Sequence, residues 1–525
     1  MASDGLSRNA ASLTLPRCAQ ERTGAGRWDW IAAGVAVLIF AGFSAYMAAA
    51  SGGFLEADGC THYLYARFAP AEPHYFTNVW GRPWCTGLYA IPAAMAGLPG
   101  VRLMSLALAL LCGLMAYQLA KEQGHRRPVL ALILTLGQPL LFLHSFSELT
   151  EVPFAALLVV TFWAYQRRQW LILALLASML PLGRPEGFGF VILAAVALPA
   201  ARRWTWLLLL PVPLLLWNHA GWVLCGRSGP WWRWLIDNWP YAANSLYPSG
   251  DLFKFVVLLP MLVSPFVFPM TCLGIWRNLR IAPTIRAFIH ATHPNRCIVL
   301  TALLPLLVLV GHSVLYWLGK MASNGELRYL LILAPFWGIL SARGWEWFFG
   351  RFSWRRPVAW AGLAVLAPGA LNFYYHVLPI QPDQEWRRAK WVADWYQNSP
   401  LAMEYPKLMA SHPGIFYFLD LSVNDTGRAR QWNLETVRQA PGGTMLIWDP
   451  VYGVYNATGD HSIHIKDLLD AGWIADSAVE AMLNRPIDRP DGDDPLHNLI
   501  PPSSPGQWHV FLSPTSQTRR PTVIR

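Results

Sequence analysis

Charge is scarce in this chain. Only 14% of its 525 residues are Asp, Glu, Lys or Arg, against about 25% in soluble proteins. The shortfall excludes a disordered chain and argues against an ordinary soluble enzyme. Cysteine is sparse too, at 7 residues. No CxxC pair or close His/Cys cluster stands among them, so no zinc site is indicated. No internal repeat is evident, which speaks against a transporter built from matched halves. A basic nucleic-acid-binding domain is also missing. The net charge is +10, yet the basic excess lies wholly before residue 380, and beyond it acids outnumber bases. Nucleic acid is therefore not an expected partner.

Apolar residues fill the space that charge leaves. They make up 54% of the chain. The 28 Trp and 18 Tyr suit the two membrane–water interfaces, where amphipathic rings collect. A membrane helix needs about 20 apolar residues. The first run, Trp30–Ala50, is too long for a signal-peptide core and reads as a retained anchor. Further runs begin near 100, 128, 149, 169, 187, 204, 251, 297, 328 and 357. The expected fold is mostly α: a polytopic membrane protein of about eleven transmembrane helices, followed by a small extracytoplasmic α/β domain. The runs 169–182 and 187–200 are short, and Gly183-Arg184-Pro185-Glu186-Gly187 divides them.

Lys and Arg set the expected orientation. They crowd the N-terminal tail (1–27) and alternate connectors, such as Lys121/Arg126/Arg127, Arg167/Arg168 and Arg343/Arg351/Arg355/Arg356. That side is expected to be cytoplasmic, in a plasma membrane (the inner membrane in a Gram-negative bacterium). An odd number of spans then places the C-terminal tail outside. The other connectors carry most of the acids of the membrane region, 28–380, beginning with an acidic first outer loop, 51–99. Cys60 and Cys85 both lie in that loop, as a disulfide or as two free thiols. Beyond it, 381–525 reads as one small domain. Helices are expected over Glu385–Gln397 and Ile465–Ala471, and strands over Gly443–Asp449 and Trp508–Leu512. Asp449, at a strand end, is either a turn residue or a catalytic acid. Asn424 and Asn456 each begin a triplet of glycan-acceptor type.

The candidate chemistry lies on the outer side. Glu56, Asp58 and His62 stand just past the first span. They are either a solvated helix end or a group that takes a proton from a nucleophile or holds an ion. Arg82 lies among aromatic residues and proline. Its planar fork suits phosphate, or lipid headgroups generally. Glu148 and Glu151 precede a helix, where the dipole also favours them. Arg184 and Glu186 stand at membrane depth in a broken segment, where charge is generally buried in protein or lines a cavity. Arg328 opens a later span.

In order and spacing these segments resemble the GT-C superfamily of integral-membrane glycosyltransferases. They are most similar to its bacterial mannosyltransferase-like branch, the protein O-mannosyltransferases and lipid A aminoarabinose transferases. The likeness rests on Glu56/Asp58/His62, Trp80-Gly81-Arg82-Pro83, Thr150-Glu151-Val152-Pro153, Arg184-Pro185-Glu186-Gly187 and Leu327-Arg328-Tyr329. It implies transfer of a sugar, mannose among the candidates, from a polyprenyl-phosphate donor to a lipid, glycan or protein acceptor. It implies Asp58 as catalytic base, with Glu56 or His62 assisting. Arg184 and Arg328 are implied for the donor phosphate, with Arg82 behind them, and Glu151 and Glu186 for orienting the acceptor or locking the arginines. No cofactor or metal is expected. The chain departs from the superfamily's adjacent acid pair, because Ala57 separates Glu56 from Asp58. The alternative functions are a transporter, flippase or ligase of lipid-linked glycans.

Overall fold

The computed structural model describes residues 27–241, 249–281, 295–350, 358–359, 361–362, 378–424, 429–431, 434–450, 452–453, 464–484 and 507–513. The N-terminal tail to 26, most of the run expected from 357, the triplet at Asn456 and most of that at Asn424 lie outside these.

The chain is mostly helical, because a helix satisfies its backbone groups internally, as hydrocarbon surroundings demand. The first helix, α1 (Arg27–Ala50), turns Leu38, Ile39 and Phe43 outward, the face expected to meet lipid. The loop expected over 51–99 is largely helical. It contains α2 (Ala57–Phe68), and α3 (Pro83–Glu122) begins well before the run expected near 100. Proline at the first position of α3 is pre-set for a helix start. Gly97, at φ +61°, kinks α3. The apolar count misses α2 because it carries Asp58, His62 and Arg67.

Short helices follow: α4 (Val129–Leu136), α5 (Pro139–His144), α6 (Glu151–Gln166), α7 (Trp170–Gly183), α8 (Gly187–Ala200) and α9 (Val212–Leu224). Next come α10 (Lys254–Val263), α11 (Phe268–Arg280), α12 (Arg296–Trp317) and α13 (Ala334–Phe349). Among the described residues, 4 helices are long and apolar enough to cross a membrane, and α10 with α11, bent by 108°, makes up to 5. Apolar α6, α7 and α8 are shorter than a span. Proline and glycine divide these runs. The buried helix α6 is apolar nearly all round, as a helix in the middle of a bundle should be. At one end of the bundle gather Glu122 with Arg167, the Arg127 amide with Glu346, and Arg343 with the Gln123 carbonyl.

The C-terminal region pairs helices with a small sheet. Its elements are α14 (Gln384–Asn398), β1 (Lys407–Ala410), α15 (Pro413–Leu419), β2 (Ala429–Gln431), α16 (Leu434–Arg438), β3 (Thr444–Trp448), α17 (Ile465–Asp470), β4 (Ile474–Ala475) and β5 (His509–Leu512). Asp383 caps α14 by accepting from the Trp386 amide. Strand order is β2-β1-β3-β5-β4, with β1 parallel to β2 and β3, and β5 antiparallel to β3 and β4. Side chains alternate between faces. Leu408, Ala410, Met445, Ile447 and Val510 share a core with α14 and α15. Met409, Leu446, Trp448 and Phe511 join Val437 and Leu468 on the other face.

The first of these cores continues into the membrane region. Phe54 lies 5.0 Å from Tyr417 and 5.2 Å from Trp386, and Tyr63 lies 5.7 Å from Tyr417, by ring centroids. Tyr75 and Ser422 share a hydrogen bond of 2.6 Å, and Ile380 exchanges backbone bonds with Gly53 and the Ser51 hydroxyl. Cys60 and Cys85 are both buried and free, so the thiol alternative holds.

Candidate active site

The acids and arginines singled out from the sequence meet at the end of the bundle that carries the sheet. Glu56 precedes α2 in extended backbone, and Asp58 lies in its first turn. This change of conformation lets both acids reach one arginine despite the intervening Ala57. Arg328 stands on a 3-10 turn, Leu327–Leu333. Its Nη1 pairs with Glu56 at 2.9 Å and its Nη2 with Asp58 at 2.8 Å. Glu326 pairs with its Nε, and Glu151 stands 3.9 Å away.

Glu151 opens α6 and links Arg328 to a second arginine. Arg184, just past α7, donates to Glu151 at 2.6 Å, to the Thr150 hydroxyl at 3.0 Å and to Glu186 at 3.0 Å. Glu186 in turn faces His312 of α12 at 3.4 Å. Residues from five separate stretches thus form one network. Losing one partner of such a buried pair costs about 3–5 kcal/mol, because the other charge is left uncompensated.

Burial pushes the Glu56 carboxyl up to about 8, against the pull of Arg328, and Glu326, Glu151 and Asp58 add to the rise. Asp58 is the most open acid of the network, with its side chain 44% exposed against 2% for Glu151. His62 does not join them. It is buried and stacks on Trp80 at 4.5 Å. Burial lowers its pKa to about 3, against the opposing charge of Asp58, which makes it a poor proton acceptor near neutral pH.

Beside the network lies a cavity of about 470 Å³. Arg82, Arg184, Glu186, Tyr241, His312, Ser323 and Tyr329 supply its polar lining. Phe190, Leu193, Leu304, Leu307, Val308 and Leu315 supply the apolar part. Leu193 and Leu307 are exposed on the outside of the bundle, so the apolar flank runs out to the face expected to meet lipid. Glu56, Asp58, Glu151 and Arg328 do not line the cavity and stand behind it, tied to Arg184 by Glu151.

Arg82 differs from the other two arginines. It makes no ion pair among the described residues, and its buried Nε has no hydrogen-bond partner there. Its guanidinium lies 5.2 Å from the Tyr241 ring. Its backbone is left-handed, at φ +62°, a conformation that costs a non-glycine residue about 1–3 kcal/mol and gathers at functional sites. Glu326 and Tyr329 flank the expected Arg328 without an assigned role, and His312 joins them from outside the expected set. A lone histidine inside an apolar run was the only available signal for His312. No group of three His, Cys, Asp or Glu side chains among the described residues is placed to hold a metal ion.

A mostly helical membrane fold with a small C-terminal sheet defines the class of this protein. No protein-family model and no curated protein matches the chain. Among solved structures it is similar to ArnT from Cupriavidus metallidurans in the apo state, with a TM-score of 0.57 and 13% identity over 81% of this chain and 93% of that one. It is also similar to ArnT bound to undecaprenyl phosphate, with a TM-score of 0.55 and 14% identity over 82% and 94%. At such identity the likeness is one of fold. It agrees in fold with the GT-C resemblance and lends nothing to the mannosyltransferase branch.

Proposed function

We propose that this protein is an integral-membrane glycosyltransferase, taking a sugar from a polyprenyl-phosphate donor and passing it to an acceptor on the outer face of a cell membrane. One observation carries the reading: a cavity with arginines at its polar end and an apolar flank running out toward lipid, the two-part environment that a lipid phosphate requires. The solved ArnT bound to undecaprenyl phosphate has this fold, which supports a donor of that chemistry. Mannose and aminoarabinose are the first sugars to try.

In this mechanism the prenyl chain lies along Leu193, Leu304, Leu307 and Val308. The phosphate meets Arg82, whose guanidinium is not engaged by a carboxylate. Arg184 and Arg328 are held by acids, so they set the local field and the shape of the site. The acceptor oxygen attacks the anomeric carbon as the bond to the phosphate oxygen breaks. Its proton passes to Asp58, the open carboxylate, and polyprenyl phosphate leaves with the bonding electrons. Glu151 and Glu186 lock the arginines. No metal or cofactor enters this scheme.

The test is transfer by purified protein in nanodiscs, with undecaprenyl-phosphate mannose and aminoarabinose as donors. Asp58→Asn should lower turnover at least about 100-fold, the scale of general-base catalysis, and leave donor binding intact. Arg82→Gln should weaken undecaprenyl-phosphate binding about tenfold or more, as the loss of a charge-assisted bond does. Full turnover in Asp58→Asn would remove its assigned role. Movement of intact donor across the bilayer without cleavage would favour a flippase.

A further inference from the structure

The C-terminal sheet carries a feature that the donor site does not use. Strand β1 leads through α15 to β2 on one side, and β2 leads through α16 across β1 to β3 on the other. All three strands are parallel. Consecutive connections therefore leave in opposite directions between β1 and β3. In open α/β sheets the crevice beyond the carboxyl ends at such a reversal is where ligands bind.

That crevice is built from side chains. Ser411, just past β1, donates to Asp449, just past β3, at 2.6 Å. The other oxygen of Asp449 accepts from the Tyr452 amide at 2.6 Å. Asp449 is 1% exposed, so this acid acts as a buried brace that holds the turn presenting Tyr452. The Tyr452 ring stands edge-on to His412 at 4.9 Å. His412 is also 1% exposed. Its Nδ1 accepts from the Gly414 amide, so the ring proton belongs on Nε2, and Nε2 has no hydrogen-bond partner among the described residues. The Tyr452 residue is partly exposed.

The crevice is also aimed. Helix α15 starts at it and packs on α2, whose first turn carries Asp58. The aromatic contacts of Phe54 and Tyr63 with Tyr417 fix that orientation. Asp449, Glu385, Asp58 and Asp383 are the acids whose charge bears on the Tyr452 phenol.

We propose that the crevice beyond β1 and β3 is the acceptor subsite, with the Tyr452 hydroxyl orienting a hydroxyl-bearing acceptor toward Asp58. This rests on the glycosyltransferase reading above and adds a second half to the site, supplied by the C-terminal domain. Asp58, Asp383, Glu385 and Asp449 repel anions, so the acceptor is uncharged or cationic around its reacting hydroxyl. Tyr452 is a positioning residue: the acceptor proton still goes to Asp58.

The experiment uses the full chain in nanodiscs with undecaprenyl-phosphate sugar as donor. Octyl glucoside below its micelle concentration is the acceptor probe, with a phosphorylated octyl glucoside beside it. Transfer to the neutral probe should exceed transfer to the phosphorylated one at least about tenfold. Tyr452→Phe should raise the acceptor KM about tenfold, while donor KM, cleavage of donor by water and undecaprenyl-phosphate binding stay within about twofold. Tyr452→Ala should raise the acceptor KM further. An unchanged acceptor KM in both variants, or equal use of the two probes, overturns the subsite. If wild-type protein cleaves no donor at all, the transferase reading fails separately. The crevice is then tested by saturation-transfer NMR with octyl glucoside alone: binding lost in Tyr452→Phe supports it, and no binding in wild type overturns it.

Discussion

At the residue scale the site depends on how many carboxylates each arginine serves. Arg328 faces Glu56, Asp58, Glu326 and Glu151, whereas Arg82 faces none among the described residues. Glu56 makes this balance depend on pH. Its folded carboxyl, at about 8, lies above the unfolded value of about 4.3. The folded state therefore holds the proton more tightly than the unfolded chain. The resulting stability is full below about pH 4.3 and is lost as pH rises to about 8. Glu56→Gln cannot titrate, so its thermal midpoint should fall less than that of wild type between pH 6 and 9. Equal slopes in a melting series would show that Glu56 carries no such proton. The resemblance offers Glu151 and Glu186 as locks for the arginines without saying which acid reaches which arginine. It implies Arg184 and Arg328 as phosphate ligands; in the structure each is held by an acid two residues away, Glu186 and Glu326, and both face Glu151 from a distant stretch.

At the scale of elements, the breaks in the apolar runs proved as informative as the runs. Gly183–Gly187 was visible as an interruption, and it is the turn that puts Arg184 and Glu186 at the cavity. By contrast, α2 and the first part of α3 stand where a loop is expected over 51–99, since amphipathic and proline-led helices give a weak apolar signal. Close helix crossings rest on glycine. A Cβ on Gly274 of α11 would run into the Leu340 carbonyl of α13, and one on Gly344 into the Met270 carbonyl. Small residues permit this backbone contact where no hydrophobic force drives helices together. Gly274→Leu should therefore lower the monodisperse fraction on size exclusion severalfold and lower the melting temperature, while Gly34→Leu, where nothing stands within 4 Å, should change neither. Equal behaviour of the two variants would refute the close crossing.

For the whole molecule, the decisive contact is the dock between the C-terminal sheet domain and the first helices. It sets α15, which begins just past β1, against α2, whose first turn carries Asp58. Phe54 is its anchor, 7% exposed between Trp386 and Tyr417. Phe54→Ala should cost about 3–5 kcal/mol and open the junction near 380–384 to protease, seen as a new fragment on limited digestion. Unchanged protease resistance would mean that the dock rests elsewhere.

Hydropathy and charge are local properties, so the sequence by itself determined the membrane class, the broken segments, the small α/β region and the set of acids and arginines at one end. Its four expected elements of the C-terminal region fall where helices and strands stand. Partner choice is different, because an ion pair in a low-dielectric interior depends on separations of a few ångströms between elements distant in the chain. Only the tertiary structure decided that Glu151 joins Arg184 to Arg328, that Arg82 pairs with no acid among the described residues, and that Asp449 serves as a brace beneath Tyr452.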